Sequence, residues 1–245
     1  MATTAITVAY SLSFLGLLLG IAIGIALLQD DAVDNEAGQF AWLLIIPGFA
    51  AFSYLMMVFE IGVVDVGDNS VYVFRYIDWL VTTPILVGYV GYVAGAPRKW
   101  ILGVASADAL MIITGTAATL VTGIATWIGF GVSSAFHLSL LAILYLVFPK
   151  YAEQNPRRRR LFRILQNHVG LLWIAYPVVW LTSPAGIGYV SVVGTAMIVA
   201  YLDLVAKTPY VYFVWREREA FAEEDTSGVE TDEIEPTDTI PTTAG

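Results

Sequence analysis

Asp203 and Lys207 stand four residues apart near the middle of an apolar run from Gly186 to Trp215. That spacing places both side chains on one helix face, a turn apart. The run is long enough to cross a bilayer, for which about 20 residues suffice. A charge at that depth costs about 2.5–3.5 kcal/mol on insertion scales, so both groups need partners or a chemical task. One reading is a structural ion pair that pins this helix to its neighbours. The other is an amine that carries a ligand as a Schiff base, with the aspartate as its counter-ion.

A second group of such residues lies in Phe74-Arg-Tyr-Ile-Asp-Trp-Leu-Val-Thr-Thr-Pro84. Arg75 and Asp78 are i, i+3, and Asp78 and Thr82 are i, i+4. Tyr89 follows Asp78 by three turns and falls only about 20° off the same line. Arg75, Asp78, Thr82 and Tyr89 thus form one polar file along a helix. Asp78 and Lys207 are expected at similar depth on helices that can face each other. Two carboxylates around one amine or Schiff-base cation favour its charged form, and Arg75 is expected to keep both carboxylates ionised. Aromatic residues surround this plane: Trp79, Trp173, Tyr176 and Trp180, with Tyr54 from another segment. Trp173, Tyr176, Pro177 and Trp180 keep i, i+3, i+4, i+7 spacing and make one stripe. Ordinary packing or an interfacial belt is one account of it. A slot around a flat apolar ligand is the other, and the charges on the same faces favour the slot.

The elements that must position these groups are membrane spans. The chain of 245 residues is 58% hydrophobic and 13% charged, against about 25% charged in soluble domains. Seven spans are predicted, over residues 6–28, 39–61, 71–94, 99–121, 127–149, 161–182 and 186–213. Short connections make successive helices antiparallel neighbours, so the fold class is an all-α seven-transmembrane helix bundle. Pro47, Pro84, Pro177 and Pro209 fall within spans, where membrane helices tolerate them. The helical domain is expected over 1–215. Residues 216–245 read as an acidic disordered tail, because ten of the 21 acids follow Arg216. There is no cysteine, and His137 and His168 lie on different spans, so no metal site is expected. So acidic a chain makes nucleic acid an improbable partner. The apolar N-terminal stretch is too long for a signal sequence and reads as the first span.

Ten of the twelve basic residues lie in the third and fifth connections or after the last span. With the N-terminus outside and the C-terminus cytoplasmic, all ten are cytoplasmic, as the positive-inside rule requires. The acidic first connection (Asp30, Asp31, Asp34, Glu36) then also faces the cytoplasm. Arg157–Arg160 reads as an orientation and lipid-headgroup signal. Arg75 and Lys207 are the two bases left within spans. The deep acids are Asp78, Asp108 and Asp203, with Glu60 set aside near an outer end.

The segments Arg75–Pro84, Leu172-Trp-Ile-Ala-Tyr-Pro-Val-Val-Trp-Leu181 and Tyr201-Leu-Asp-Leu-Val-Ala-Lys207 resemble the third, sixth and seventh helices of the archaeal retinal proteins. That family holds bacteriorhodopsin-type pumps and sensory rhodopsins, and the resemblance covers all seven spans. It implies all-trans retinal bound to Lys207 as a protonated Schiff base. It implies Asp78 as primary counter-ion and proton acceptor, Asp203 as the second, and Arg75 as the gate toward the outside. Trp79 and Trp173 would sandwich the polyene, and Tyr54 and Tyr176 would bond Asp203. Thr82, Thr83, Met111, Gly115 and Trp180 would belong to the pocket, with Asp108 in the fourth-helix wall and Leu140 as the fifth-helix contact.

The resemblance also separates sensor from pump. Efficient pumps of the family carry a carboxylate proton donor at the position of Tyr89, and tyrosine, with a reference pKa of about 10, is a poor donor at neutral pH. Their proton-release carboxylates match Ala185 and Thr195 here. Tyr201 and its surroundings resemble sensory rhodopsin II, whose two-helix transducer packs against the last two helices. Ala206 departs from it, since sensory rhodopsin II has threonine there, and the mixture resembles middle rhodopsin. The expected function is a light-sensing photoreceptor of the cell membrane, signalling to a membrane transducer in phototaxis. The alternative is a weak light-driven outward proton pump. No enzymatic activity is expected, no catalytic domain is expected after Trp215, and homo-oligomerisation is left open.

Overall fold

A computed structural model describes residues 2–30, 37–66 and 69–221. Its elements are α1 (Ala2–Leu28), α2 (Ala37–Val58), β1 (Val63–Val66), β2 (Asn69–Tyr72), α3 (Val73–Val93), α4 (Arg98–Thr119) and α5 (Ile124–Ala142). After them come a π-helical turn (Ile143–Val147), α6 (Phe148–Ala152), α7 (Pro156–Trp173), α8 (Ala175–Thr182), α9 (Val192–Arg216) and a 3-10 turn (Arg218–Phe221). α5, the π turn and α6 form one membrane-length rod, and α7 with α8 another, so the described residues make a seven-helix bundle.

Six of these segments are long and apolar enough to cross a membrane: Thr4–Leu28, Phe40–Val58, Arg98–Thr119, Ile124–Ala152, Pro156–Thr182 and Val192–Arg216. The other long helix, α3, carries Arg75, Asp78, two threonines and three tyrosines, which lower its hydropathy. It is the polar helix because its neighbours enclose it. α3 lies between α2 and α4 and also meets α7, while α1 packs against α2 and α9, and α7 against α9. Large apolar side chains such as Leu12, Leu102, Leu138 and Leu171 point outward, as lipid-facing residues do.

The helix boundaries have local causes. Asn155 caps α7 by accepting from the Arg158 amide, and Pro156 follows at the first helical position. Ser191 caps α9 through the Gly194 amide. The segment expected as one helix over 161–182 starts earlier, at Pro156, and breaks at Ile174. Pro177 lacks an N–H, and its ring opposes the carbonyl of Trp173, four residues back. Pro149 acts in the same way on the rod before it. The backbone widens into the π turn just ahead of it, and the Gln166 amide satisfies the freed Leu144 carbonyl at 2.8 Å.

Three further expectations are corrected. The third span was read from residue 71, but Val63–Val66 and Asn69–Tyr72 pair as antiparallel strands, with Val63 opposite Tyr72, and α3 starts at Val73. Val63, Val64, Val66 and Val71 are β-branched residues that suit a strand. The last span was read from 186, but residues 183–191 form a loop closed by Ile187 and Val190 amides bonded to the Leu181 and Thr182 carbonyls. At the other end, the tail expected from 216 begins with ordered structure. α9 runs to Arg216, and Phe221 is buried against Phe40 and Tyr92. Residues 222–245, with Asp31, Asp34 and Glu36, lie outside the described residues.

Two apolar clusters bracket the polar plane. One joins Leu86, Val90 and Val93 of α3 to Leu144, Phe148, Leu161 and Leu165. The other joins Tyr10 and Leu17 of α1 to Tyr54, Met57 and Ala200. Asp78, Asp203 and Lys207 lie between them, all three almost fully buried.

Candidate functional site

α9 places Asp203 and Lys207 on one inward face, and α3 brings Asp78 opposite. The Lys207 amine donates to Asp78 Oδ2. Asp78 also accepts from its own helix: the Thr82 hydroxyl reaches Asp78 Oδ1 at 3.2 Å and the Asp78 carbonyl at 2.8 Å. Asp203 takes three donors from three elements. Tyr54 of α2 donates to Oδ2 at 2.7 Å, Tyr176 of α8 to Oδ1 at 2.7 Å, and Trp79 Nε1 of α3 to Oδ1 at 3.0 Å. Three donors from three elements fix the orientation of this carboxylate. The site thus contains one amine with two carboxylates, one bonded to it and one fully occupied by neutral donors.

Arg75 is bonded outside this group. It is buried, but among the described residues it forms no ion pair with either carboxylate. Its terminal nitrogen donates to the Tyr10 hydroxyl at 2.7 Å, and its guanidinium lies 5.6 Å from the Tyr10 ring centre and 5.9 Å from that of Tyr72. Tyr10 was not singled out in the sequence, because α1 is apolar all round and offers no periodicity that marks one position.

Beside the amine, a cavity of about 160 Å³ (the space open to the centre of a water-sized sphere) extends among α3, α4, α5, α7, α8 and α9. Trp79, Trp173, Tyr176 and Trp180 line it, as do Thr83, Met111, Gly115, Arg75, Asp203 and Lys207. Ala185, Thr195 and Ala206 also border it. Phe130 stacks on Trp180, ring centres 4.4 Å apart and 10° from parallel. Three residues expected at the pocket lie elsewhere. Thr82 is turned toward Asp78. Leu140 is packed in the apolar cluster with Leu144 and Phe148, about one turn beyond His137. On α5 the cavity is bordered instead by Phe130, Ser133, Ser134 and His137. Asp108 does not border the cavity either; it accepts from the Thr83 hydroxyl at 2.6 Å and so ties α4 to α3.

Tyr89 is buried on the side of Lys207 remote from Arg75, with Phe40 and Tyr210 packed against its ring. Tyr201 is 64% exposed on the outer surface of α9.

A sequence model of the bacteriorhodopsin-like proteins matches residues 4–220. The chain belongs to the bacteriorhodopsin-like family. Sensory rhodopsin I of Haloarcula marismortui is 49% identical over 218 residues, 89% of this chain and 92% of that protein. Sensory rhodopsin-2 of Haloarcula vallismortis is 34% identical over 207 residues, covering 84% and 87%. A cyanorhodopsin crystal structure from Calothrix sp. superposes with a TM-score of 0.83 at 29% identity, over 89% of this chain and 97% of that one.

Membership of the bacteriorhodopsin-like family makes this a multi-pass protein of the cell membrane and implies a retinal chromophore. The site fits such a group on its own chemistry. A primary amine buried beside two carboxylates can hold an aldehyde as a cation, and the aromatic walls suit a flat apolar chain.

Proposed function

We propose that this bacteriorhodopsin-like protein is a light-sensing photoreceptor that carries retinal on Lys207 as a protonated Schiff base, all-trans in the dark, and signals to a membrane transducer. Bound there, retinal supplies light absorption and isomerisation. Asp78 is the base in reach of the Lys207 nitrogen and receives its proton. Asp203, held by Tyr54, Tyr176 and Trp79, remains the fixed second counter-ion. Identity to a sensory rhodopsin I exceeds that to a sensory rhodopsin-2, which supports a sensor of the first kind.

The observation that carries the sensor reading is the composition of the Tyr89 side. Among the described residues the buried carboxylates are Asp78, Asp108 and Asp203, and none lies beside Tyr89. Aromatic rings surround it instead. With no buried carboxylate beside it among the described residues to return a proton at neutral pH, the deprotonated nitrogen persists long enough for a partner to respond.

Orientation follows from charge. Arg98, Lys99, Lys150, Arg157–Arg160, Arg163, Arg216 and Arg218 cluster at one end of the bundle, which supports a cytoplasmic C-terminus and an outside N-terminus. A two-helix transducer fits the outer surfaces of α7, α8 and α9, where Tyr201 is exposed. The second reading, a weak outward proton pump, is favoured by the intact bond between Lys207 and Asp78.

Flash photolysis, with light-induced pH change followed in cells, decides between them. The unmodified protein should recover slowly, and Tyr89→Asp should speed recovery by about 10²-fold, the low end of general-acid catalysis. Recovery within milliseconds, with strong acidification of the medium by the unmodified protein, rules the sensor reading out. A colourless Lys207→Ala chain after addition of all-trans retinal is expected; a coloured one removes the attachment site.

A further inference from the structure

Arg75 and Asp78 are three residues apart on α3, the spacing at which an arginine and an aspartate ordinarily pair. Both are buried, where an unpaired charge is costly. The pair is nevertheless unmade, and the one hydrogen bond Arg75 makes among the described residues goes to the Tyr10 hydroxyl, at 2.7 Å. Its Nε has no partner among them.

Tyr10 is built to hold that position. It is fully buried on α1. Its ring is clamped edge-on by Tyr54, 5.7 Å away at 78°, and by Tyr72, 5.3 Å away at 83°. Tyr72 also offers its ring to the guanidinium, so an aromatic cradle takes over part of what a carboxylate would give. The three supports come from α1, α2 and β2, so the strand before α3 completes the cradle.

We propose that Tyr10 is a positioning residue that holds Arg75 off the Asp78–Asp203 pair, leaving the charge of both carboxylates to the Lys207 nitrogen. The inference rests on the reading of Lys207 as the retinal-bearing amine. Interaction energy varies inversely with distance and is weakly screened in a buried site. A guanidinium that moves toward Asp203 or Asp78 therefore offsets part of their field. That field stabilises positive charge at the nitrogen, which excitation moves away along the chromophore. Weakening it lowers the excitation energy. It also makes Asp78 a weaker acceptor for the proton.

The test is the visible absorption maximum of pigment reconstituted with all-trans retinal. Tyr10→Phe keeps the ring and its edge contacts but removes the acceptor. Arg75 then turns to the carboxylates, so absorption should shift to the red and formation of the deprotonated state should slow. Combined with Arg75→Gln or Arg75→Ala, Tyr10→Phe should add no further shift, because a pair acting through one contact is not additive. Tyr72→Phe, which keeps the ring facing Arg75, should leave the maximum in place. No shift or a blue shift in Tyr10→Phe overturns the proposal. So does a red shift that survives without Arg75, or an equal one in Tyr72→Phe, since Tyr10 would then act through packing. A colourless unmodified protein refutes the Lys207 reading instead; a coloured one with an unshifted Tyr10→Phe refutes only the role of Tyr10.

Discussion

Asp203 stands one helical turn from Lys207 on α9, yet the lysine amine bonds Asp78 of α3. Asp203 is occupied by Tyr54, Tyr176 and Trp79. The two carboxylates are therefore not equivalent. One is bonded to the amine, and the other is held by neutral donors.

This asymmetry predicts different outcomes for the two amides. Asp78→Asn removes the charge bonded to the nitrogen, so absorption should shift to the red and the light-driven proton step should be lost. Asp203→Asn should shift the colour while retaining proton transfer to Asp78, and should destabilise the protein, because Tyr54 and Tyr176 are left facing an amide. Hydrogen bonds to charged groups contribute about 1.5–3 kcal/mol each. Spectroscopy and denaturant unfolding of the purified pigments check both.

Ala206 borders the cavity next to Lys207 and is buried. A hydroxyl there changes the polarity around the chromophore. Ala206→Thr should shift absorption to the blue, and the unmodified protein should absorb to the red of sensory rhodopsin II. A red shift in the variant contradicts this account of its colour.

The Thr83–Asp108 bond joins α3 to α4 within the membrane. Interhelical hydrogen bonds there contribute about 0.6 kcal/mol on average and up to about 1.7. A double-mutant cycle with Thr83→Val and Asp108→Ala should return a coupling in that range. Zero coupling would mean that the helices hold by packing alone.

Gly170 of α7 faces Tyr145 in the π turn. A β-carbon there meets the tyrosine hydroxyl and comes within 2.6 Å of its ring edge. Gly170→Ala should cost about 1–3 kcal/mol, as overpacking does. Tyr145→Phe, which takes away the nearest atom, should restore part of the loss, measured by thermal unfolding.

The spans were legible because apolar runs of membrane length admit few other structures, and the inward faces followed from spacing. Arg75, Asp78, Thr82 and Tyr89 share a face for any helix of 3.6 residues per turn, and so do Asp203 and Lys207. The Tyr54 and Tyr176 contacts to Asp203 were implied by the resemblance of whole segments. Local pattern could not say which acid takes the amine. Spacing along α9 favours Asp203, but that choice depends on donors from α2, α3 and α8, which meet only when the bundle closes. Nor could it show Arg75 turned away from Asp78, because the competing acceptor, Tyr10, is 65 residues distant in sequence. The α5 wall of the cavity escaped for the same reason. Periodicity reports which residues share a face, whereas pairing, register and the choice among competing partners are settled by the packing of one element on another.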